Sequence, residues 1–130
     1  MKYLFIDDNK EWLECLQILL EMLFQNQNFV FAECHSTEEA LCAISKHHPD
    51  VIFLDHHLTT TGNEGIEVVD QLRQEQREKI KIYSTTSDES IIFEYQKRGI
   101  ERISKNNLVS TLTKQLPTSS NPLPPSNHCP

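Results

Sequence analysis

Val51-Ile52-Phe53-Leu54-Asp55 is the stretch whose reading decides the fold. Four apolar residues in succession, with no polar alternation, predict a strand covered on both faces, as central strands of parallel α/β sheets are. The run ends on a carboxylate. Ligand crevices in open α/β sheets lie beyond the carboxyl ends of the strands, so Asp55 is aimed where chemistry happens. A second run, Tyr3-Leu4-Phe5-Ile6, ends the same way on Asp7-Asp8. Three acids at two neighbouring strand ends accumulate costly like charge unless a cation sits among them, and a hard, oxygen-seeking ion such as Mg2+ is the natural guest. An Asp after a strand is often only the N-cap of the next helix. Two strand ends with acids, one of them doubled, exceed what capping alone explains.

Working outward, Asn9 or Asp8 can cap a first helix whose apolar positions Trp12, Leu16, Leu19, Leu20 and Leu23 recur at helical spacing. Phe29 to Glu33 reads as a shorter, edge-like strand. Ser36 and Glu39 form a capping box, with Glu39 expected to reach back to the Ser36 N–H. A second helix runs to about Lys46, and His47-His48-Pro49 end it. Beyond Asp55, Gly62 and Gly65 bracket a loop, and Ile66, Val69 and Leu72 mark a third helix. Ile80 to Tyr83 is a fourth strand closing on Ser84-Thr85-Thr86. Ser87 or Asp88 starts a fourth helix that Gly99 stops as a C′ residue. Ile100 to Ser104 is a fifth strand ending on Lys105, and a last helix opens near Asn107.

Five alternations of strand and helix predict an α/β fold: a doubly wound, five-stranded parallel sheet with right-handed crossovers and helices on both faces. The 130 residues suit a single domain over 1–116. From Pro117 the chain turns rich in Pro, Ser and Asn, so 117–130 is expected to be a disordered tail. A net charge of −7 argues against direct DNA binding, which needs a basic face. No apolar run reaches the length of a membrane span and no signal segment opens the chain, so no membrane contact and a cytoplasmic location are expected. The four cysteines, Cys15, Cys34, Cys42 and Cys129, show no zinc or C-x-x-C spacing and read as reduced, buried thiols.

The strand ends collect Asp7, Asp8, Asp55, Ser84, Thr85 and Lys105. Acids gather a cation, a carboxylate serves as nucleophile, a hydroxyl hydrogen-bonds an oxyanion and an ammonium neutralises one. Those are the parts phosphoryl transfer needs. An Asp nucleophile yields an acyl phosphate, a covalent state that persists and can be read.

With the motifs Ile6-Asp7-Asp8, Phe53-Leu54-Asp55, Gly65-Ile66-Glu67-Val68-Val69, Tyr83-Ser84-Thr85 and Ser104-Lys105, residues 1–116 resemble the receiver domain of bacterial two-component response regulators. The resemblance implies a flavodoxin-like strand order 2-1-3-4-5. It implies phosphoryl transfer onto Asp55 from a sensor histidine kinase or histidine phosphotransfer protein, as a self-phosphorylating and self-dephosphorylating switch rather than an enzyme. Mg2+ would be bound by Asp8 directly, by Asp7 through water, by Asp55 and by the backbone carbonyl of His57. Lys105 would pair with the acyl phosphate. A gapless count back from Gly99 puts the switch hydroxyl at Ser84, with Thr85 the alternative. A downstream protein partner, and a homodimer on phosphorylation, would follow.

Four departures from the family pattern stand out. The loop after Asp55 is about two residues longer than usual and lacks its Pro. Asn106 follows Lys105 where a cis-Pro is usual, so a trans bond is expected there. Arg102 replaces the usual aromatic three residues before Lys105. No output domain follows, so output is expected through a partner. Two alternatives remain beside the stand-alone receiver: a haloacid-type phosphatase, which wants an acid where His57 stands, and a pseudo-receiver that is a protein-binding scaffold without the switch. A zinc or copper site built from His35, His47-His48 and His56-His57 lacks chelating spacing.

Overall fold

The computed structural model describes residues 1–59 and 62–116; the expected tail, 117–130, lies outside them. In chain order the elements are β1 (Lys2–Asp7), α1 (Lys10–Leu23), β2 (Asn28–Glu33), α2 (Thr37–His47), β3 (Val51–Leu54), α3 (Glu64–Gln71), α4 (Gln74–Lys79), β4 (Lys81–Ser84), α5 (Glu89–Lys97), β5 (Glu101–Arg102) and α6 (Lys105–Gln115). The strands are all parallel, in the order β2-β1-β3-β4-β5. This is the flavodoxin-like, doubly wound sheet expected. β3 sits at its centre with every residue buried.

Strand pleating sends alternate residues into two separate cores. Leu4, Ile6, Ile52, Leu54 and Ile82 pack with Ala40 and Ile44 of α2, Val68 and Val69 of α3 and Tyr95 of α5. On the other face Tyr3, Phe5, Val51 and Phe53 pack with Leu13, Leu16 and Leu20 of α1 and with Leu108 and Leu112 of α6. An aromatic ladder crosses this second face. The Phe31–Phe5, Phe5–Phe53 and Phe53–Tyr83 rings stack at 5.0, 4.9 and 5.3 Å between centroids, each pair in register on neighbouring strands.

Several expectations need correction. The polar stretch Gln74–Lys79 forms the short helix α4, with no buried residue and so no apolar stripe to announce it. Gly65 does not end a loop but lies in the first turn of α3, where a Cβ would strike the Tyr95 hydroxyl and stand 2.7 Å from His56 Cα, so close packing demands glycine. Glu39 reaches past Ser36 to the His35 N–H (2.9 Å), while Ser36 Oγ accepts from Glu39 N as expected (3.0 Å). β5 is only two residues long, and α6 starts at Lys105, two residues before the expected opening. Of the described cysteines only Cys34 is buried; Cys42 is exposed. Asn9, not Asp8, caps α1, accepting from Trp12 N at 3.1 Å. Asp88 caps α5, and Gly99 follows its C-cap at φ 73°.

Candidate functional site

The sheet ladder runs one residue past the strand ends. Asp55 N–H donates to Ile6 O (3.0 Å), Thr85 N–H to Leu54 O (3.0 Å) and Ile103 N–H to Ser84 O (2.8 Å). Continuing the register that pairs Ile6 with Leu54 and Leu54 with Ser84 sets Asp7, Asp55 and Thr85 abreast. Oxygens of Asp7, Asp8 and Asp55 all fall within 4.8 Å of one another. They lie at a cleft of about 520 Å³ whose walls include Asp8, Asp55, His57, Thr85, Arg102 and Lys105.

Charge explains why this cluster is poised. Asp7 is fully buried, and its Oδ1 accepts from Asn9 N–H at 2.8 Å. Lys105 Nζ comes within 2.7 Å of Asp7 Oδ2, but off the direction of a hydrogen bond, so that oxygen is charge-compensated and still lacks a donor. A buried carboxylate oxygen in that state, beside two more carboxylates, fits a hard divalent cation such as Mg2+. Burial is also the main reason the Asp55 carboxyl is pushed up to about 7, with the neighbouring Asp7 charge adding to it and Lys105 opposing it. Burial likewise raises Asp7, against the Lys105 and Asn9 contacts.

The two candidate hydroxyls face opposite ways. Ser84 shares the α2–α3 face with Ile82 and is fully buried, its Oγ accepting from Thr86 N–H at 3.4 Å. Thr85 falls on the face of Phe53 and Asp55 and lines the cleft, and its Oγ1 is buried without a partner. The count from Gly99 therefore selects the hydroxyl that turns away. Parity within β4 separates the two, but both faces of a central strand are apolar and the sequence does not show which parity faces Asp55.

The lengthened loop after Asp55 is held by residues that carried no sequence signal for it. Glu64 turns back into it and accepts from Leu58 N–H (2.9 Å), Thr59 N–H (3.0 Å) and Thr59 Oγ1 (3.1 Å). His57 Nδ1–H donates to Gly62 O at 2.7 Å, and its Nε2 faces Asp88 Oδ2 at 3.2 Å, so both nitrogens favour the protonated ring. His56 is buried and neutral: Nε2–H donates to Asn63 Oδ1 (3.2 Å) and Nδ1 accepts from the Tyr95 hydroxyl (2.8 Å). Among the described residues the three acids form the one metal-capable cluster, and no histidine belongs to it. The Lys105–Asn106 bond is trans, as expected, since the described residues contain no cis peptide.

A family model described as the response regulator receiver domain matches residues 3–116. The transcriptional regulatory protein BtsR of Salmonella typhi is 32% identical over 105 residues, which make up 81% of this chain and 42% of that protein. BtsR of Escherichia coli strain K12 is 30% identical over the same shares. The chain thus spans less than half the length of these curated relatives. Among solved structures, the signal receiver domain of a DNA binding response regulator from Colwellia psychrerythraea 34H superposes with TM-score 0.69 at 19% identity, covering 88% of this chain and 96% of that one. The response regulator TrrA from Thermotoga maritima, solved with Mg(2+)-BeF, gives TM-score 0.66 at 24% identity over 89% and 100% of the two chains. At such identities these superpositions speak for the fold alone.

Proposed function

The chain belongs to the response regulator receiver family, and from that premise we propose that Asp55 accepts a phosphoryl group from a sensor histidine kinase or a histidine phosphotransfer protein. The observation that carries the reading is the meeting of Asp55 with Asp7 and Asp8 inside 4.8 Å, at the cleft that Lys105 and Thr85 also line. Asp7, Asp8 and Asp55 would hold Mg2+, with the His57 carbonyl as a further oxygen. Bound there, the ion supplies charge neutralisation for the incoming phosphoryl oxygens.

The chain's own groups account for the rest. The Asp55 carboxylate is the nucleophile: an oxygen bonds to phosphorus as the donor's bond to phosphorus breaks, leaving an acyl phosphate and the freed donor. Lys105, first residue of α6, offers its ammonium to an oxyanion on Asp55. The Thr85 hydroxyl, unpartnered and on the Asp55 face, is the better placed of the two candidates to donate to that oxyanion. Ser84 instead accepts from Thr86 N–H on the other face of β4. The molecule acts as a switch rather than a turnover catalyst, and we place it in the cytoplasm with its kinase. No described helix is long and apolar enough to cross a membrane. Output through a protein partner, with a homodimer as one form, suits the net charge of −7 better than DNA contact by these residues.

Incubation with acetyl phosphate and Mg2+, read by intact mass, tests the reading. One labile phosphoryl group should appear and be absent from Asp55→Asn. Labelling that survives in Asp55→Asn refutes the assignment. An unaltered protein that takes no label, with Mg2+ shown to bind, points instead to the pseudo-receiver scaffold, for which Arg102 in the aromatic's place is the favouring observation.

A further inference from the structure

Lys105 is held from two sides. Its ammonium lies 2.7 Å from Asp7 Oδ2 and 4.6 Å from the centroid of the Trp12 ring. Trp12, the chain's single tryptophan, stands in the first turn of α1, where its backbone N–H donates to Asn9 Oδ1 at 3.1 Å. Asn9 N–H in turn donates to Asp7 Oδ1 at 2.8 Å. The contacts close a circuit from Asp7 through Asn9, Trp12 and Lys105 back to Asp7. That circuit ties the end of β1 to the starts of α1 and α6.

Nothing intrinsic keeps a lysine there. A cation in the first turn of a helix opposes the helix dipole, and a four-carbon stem has many rotamers that point to water. The side chain is 32% exposed, so solvent competes for it. While Asp7 is free, ion pairing anchors the ammonium. Once Asp7 shares its charge with a divalent cation that anchor weakens, and the indole face is the remaining contact that keeps the ammonium inside the cleft.

We propose that Trp12 is a positioning residue of the phosphoryl-transfer site, its ring face keeping the Lys105 ammonium within reach of an oxyanion on Asp55 when Asp7 turns to a divalent cation. The inference rests on Asp55 being the phosphoacceptor. Its sequence signal was taken up by another role, since Trp12 also fits the apolar spacing of α1.

Full-length Trp12→Leu and Trp12→Phe test it, with beryllofluoride as a phosphoryl mimic. Trp12→Leu should weaken beryllofluoride binding in Mg2+ and lower the maximal rate of labelling by acetyl phosphate, each by about five- to tenfold. Its affinity for Mg2+ alone, read by thermal shift, should stay within about twofold, because no ligand oxygen is touched. Trp12→Phe keeps a ring of weaker quadrupole and should recover part of the loss. Equal losses for Mg2+ and beryllofluoride would indicate a structural role and overturn the proposal. So would beryllofluoride binding by Trp12→Leu that matches the unaltered protein, or a Trp12→Phe as defective as Trp12→Leu. A measurement on the unaltered protein needs no variant to fold: Trp12 emission should change when beryllofluoride is added over saturating Mg2+, as Lys105 shifts toward the new oxyanion. Unchanged emission with beryllofluoride bound also overturns it. If the unaltered protein takes neither label nor beryllofluoride, the Asp55 reading fails, and this inference with it.

Discussion

Asp55 sits in a state that costs the folded protein stability, and the cost has a definite pH dependence. Its carboxyl is pushed from the usual 3.8 up to about 7, first by burial and then by the Asp7 charge. A raised carboxyl means that the folded state favours the protonated form. The resulting stabilisation is fully present below about pH 4 and is lost as pH rises through about 7. In Mg2+-free buffer Asp55→Asn should therefore be the more stable protein at pH 8, by an amount on the order of a few kcal/mol, with the advantage gone near pH 4. Thermal melts across that range check it, and an advantage independent of pH would contradict the cause given. The acids were legible in the sequence because two strand ends carry them, one doubled, which is more than helix capping alone explains. The choice between Ser84 and Thr85 was not, because one residue of register flips a side chain to the other face. Thr85→Ala should still label at Asp55 but lose the conformational response to beryllofluoride. Ser84→Ala should keep that response. The opposite pattern in hydrogen exchange of residues 85–88 would return the role to Ser84.

At the scale of elements, the segments that the sequence announced are those with a buried stripe. β1, β3 and α1 show apolar runs or spacing that only burial requires. α4 shows none, since none of its residues is buried, and β5 was overdrawn because Ile100 and Ile103 pack into the cores from outside the two-residue strand. The loop between β3 and α3 was legible only as a departure in length. One carboxylate among its holds shows the balance: burial pushes the Glu64 carboxyl up, but the Leu58 and Thr59 donors outweigh that and leave it below its usual value. That contribution is present above about pH 4.5 and lost as pH falls through the lowered value. Glu64→Ala should cost about 2 kcal/mol at neutral pH, by stranding two backbone N–H groups, and should speed hydrogen exchange at Leu58 and Thr59. A loss confined to global stability, with exchange at those two amides unchanged, would show that the loop is held otherwise.

Over the whole molecule, strand order came from family resemblance, since alternation of elements alone is compatible with several orders of a doubly wound sheet. The two cores then follow from pleating. The exposed edge strand is where this chain departs from the pattern of its family. Arg102 takes the place of the usual aromatic, at the exposed edge strand, and its Nε donates to Thr86 O at 2.6 Å. The segment after Thr85 is further tied by Asp88 N–H to Thr86 Oγ1 (3.0 Å) and by the His57–Asp88 contact. For the Thr85 hydroxyl to close on a phosphoryl group, this segment must shift, and the Arg102 bond resists that in the unphosphorylated state. A guanidinium is costly to bury without a partner, so Arg102 should stay at the surface in both states and act as a latch. Arg102→Ala removes a charge-assisted bond from the resting state only, at about 1 kcal/mol. It should therefore leave Asp55 labelling intact and tighten beryllofluoride binding by about fivefold. Weaker binding by Arg102→Ala, or an Arg102 side chain buried in the beryllofluoride-bound structure, would show that the arginine follows the aromatic's inward path instead.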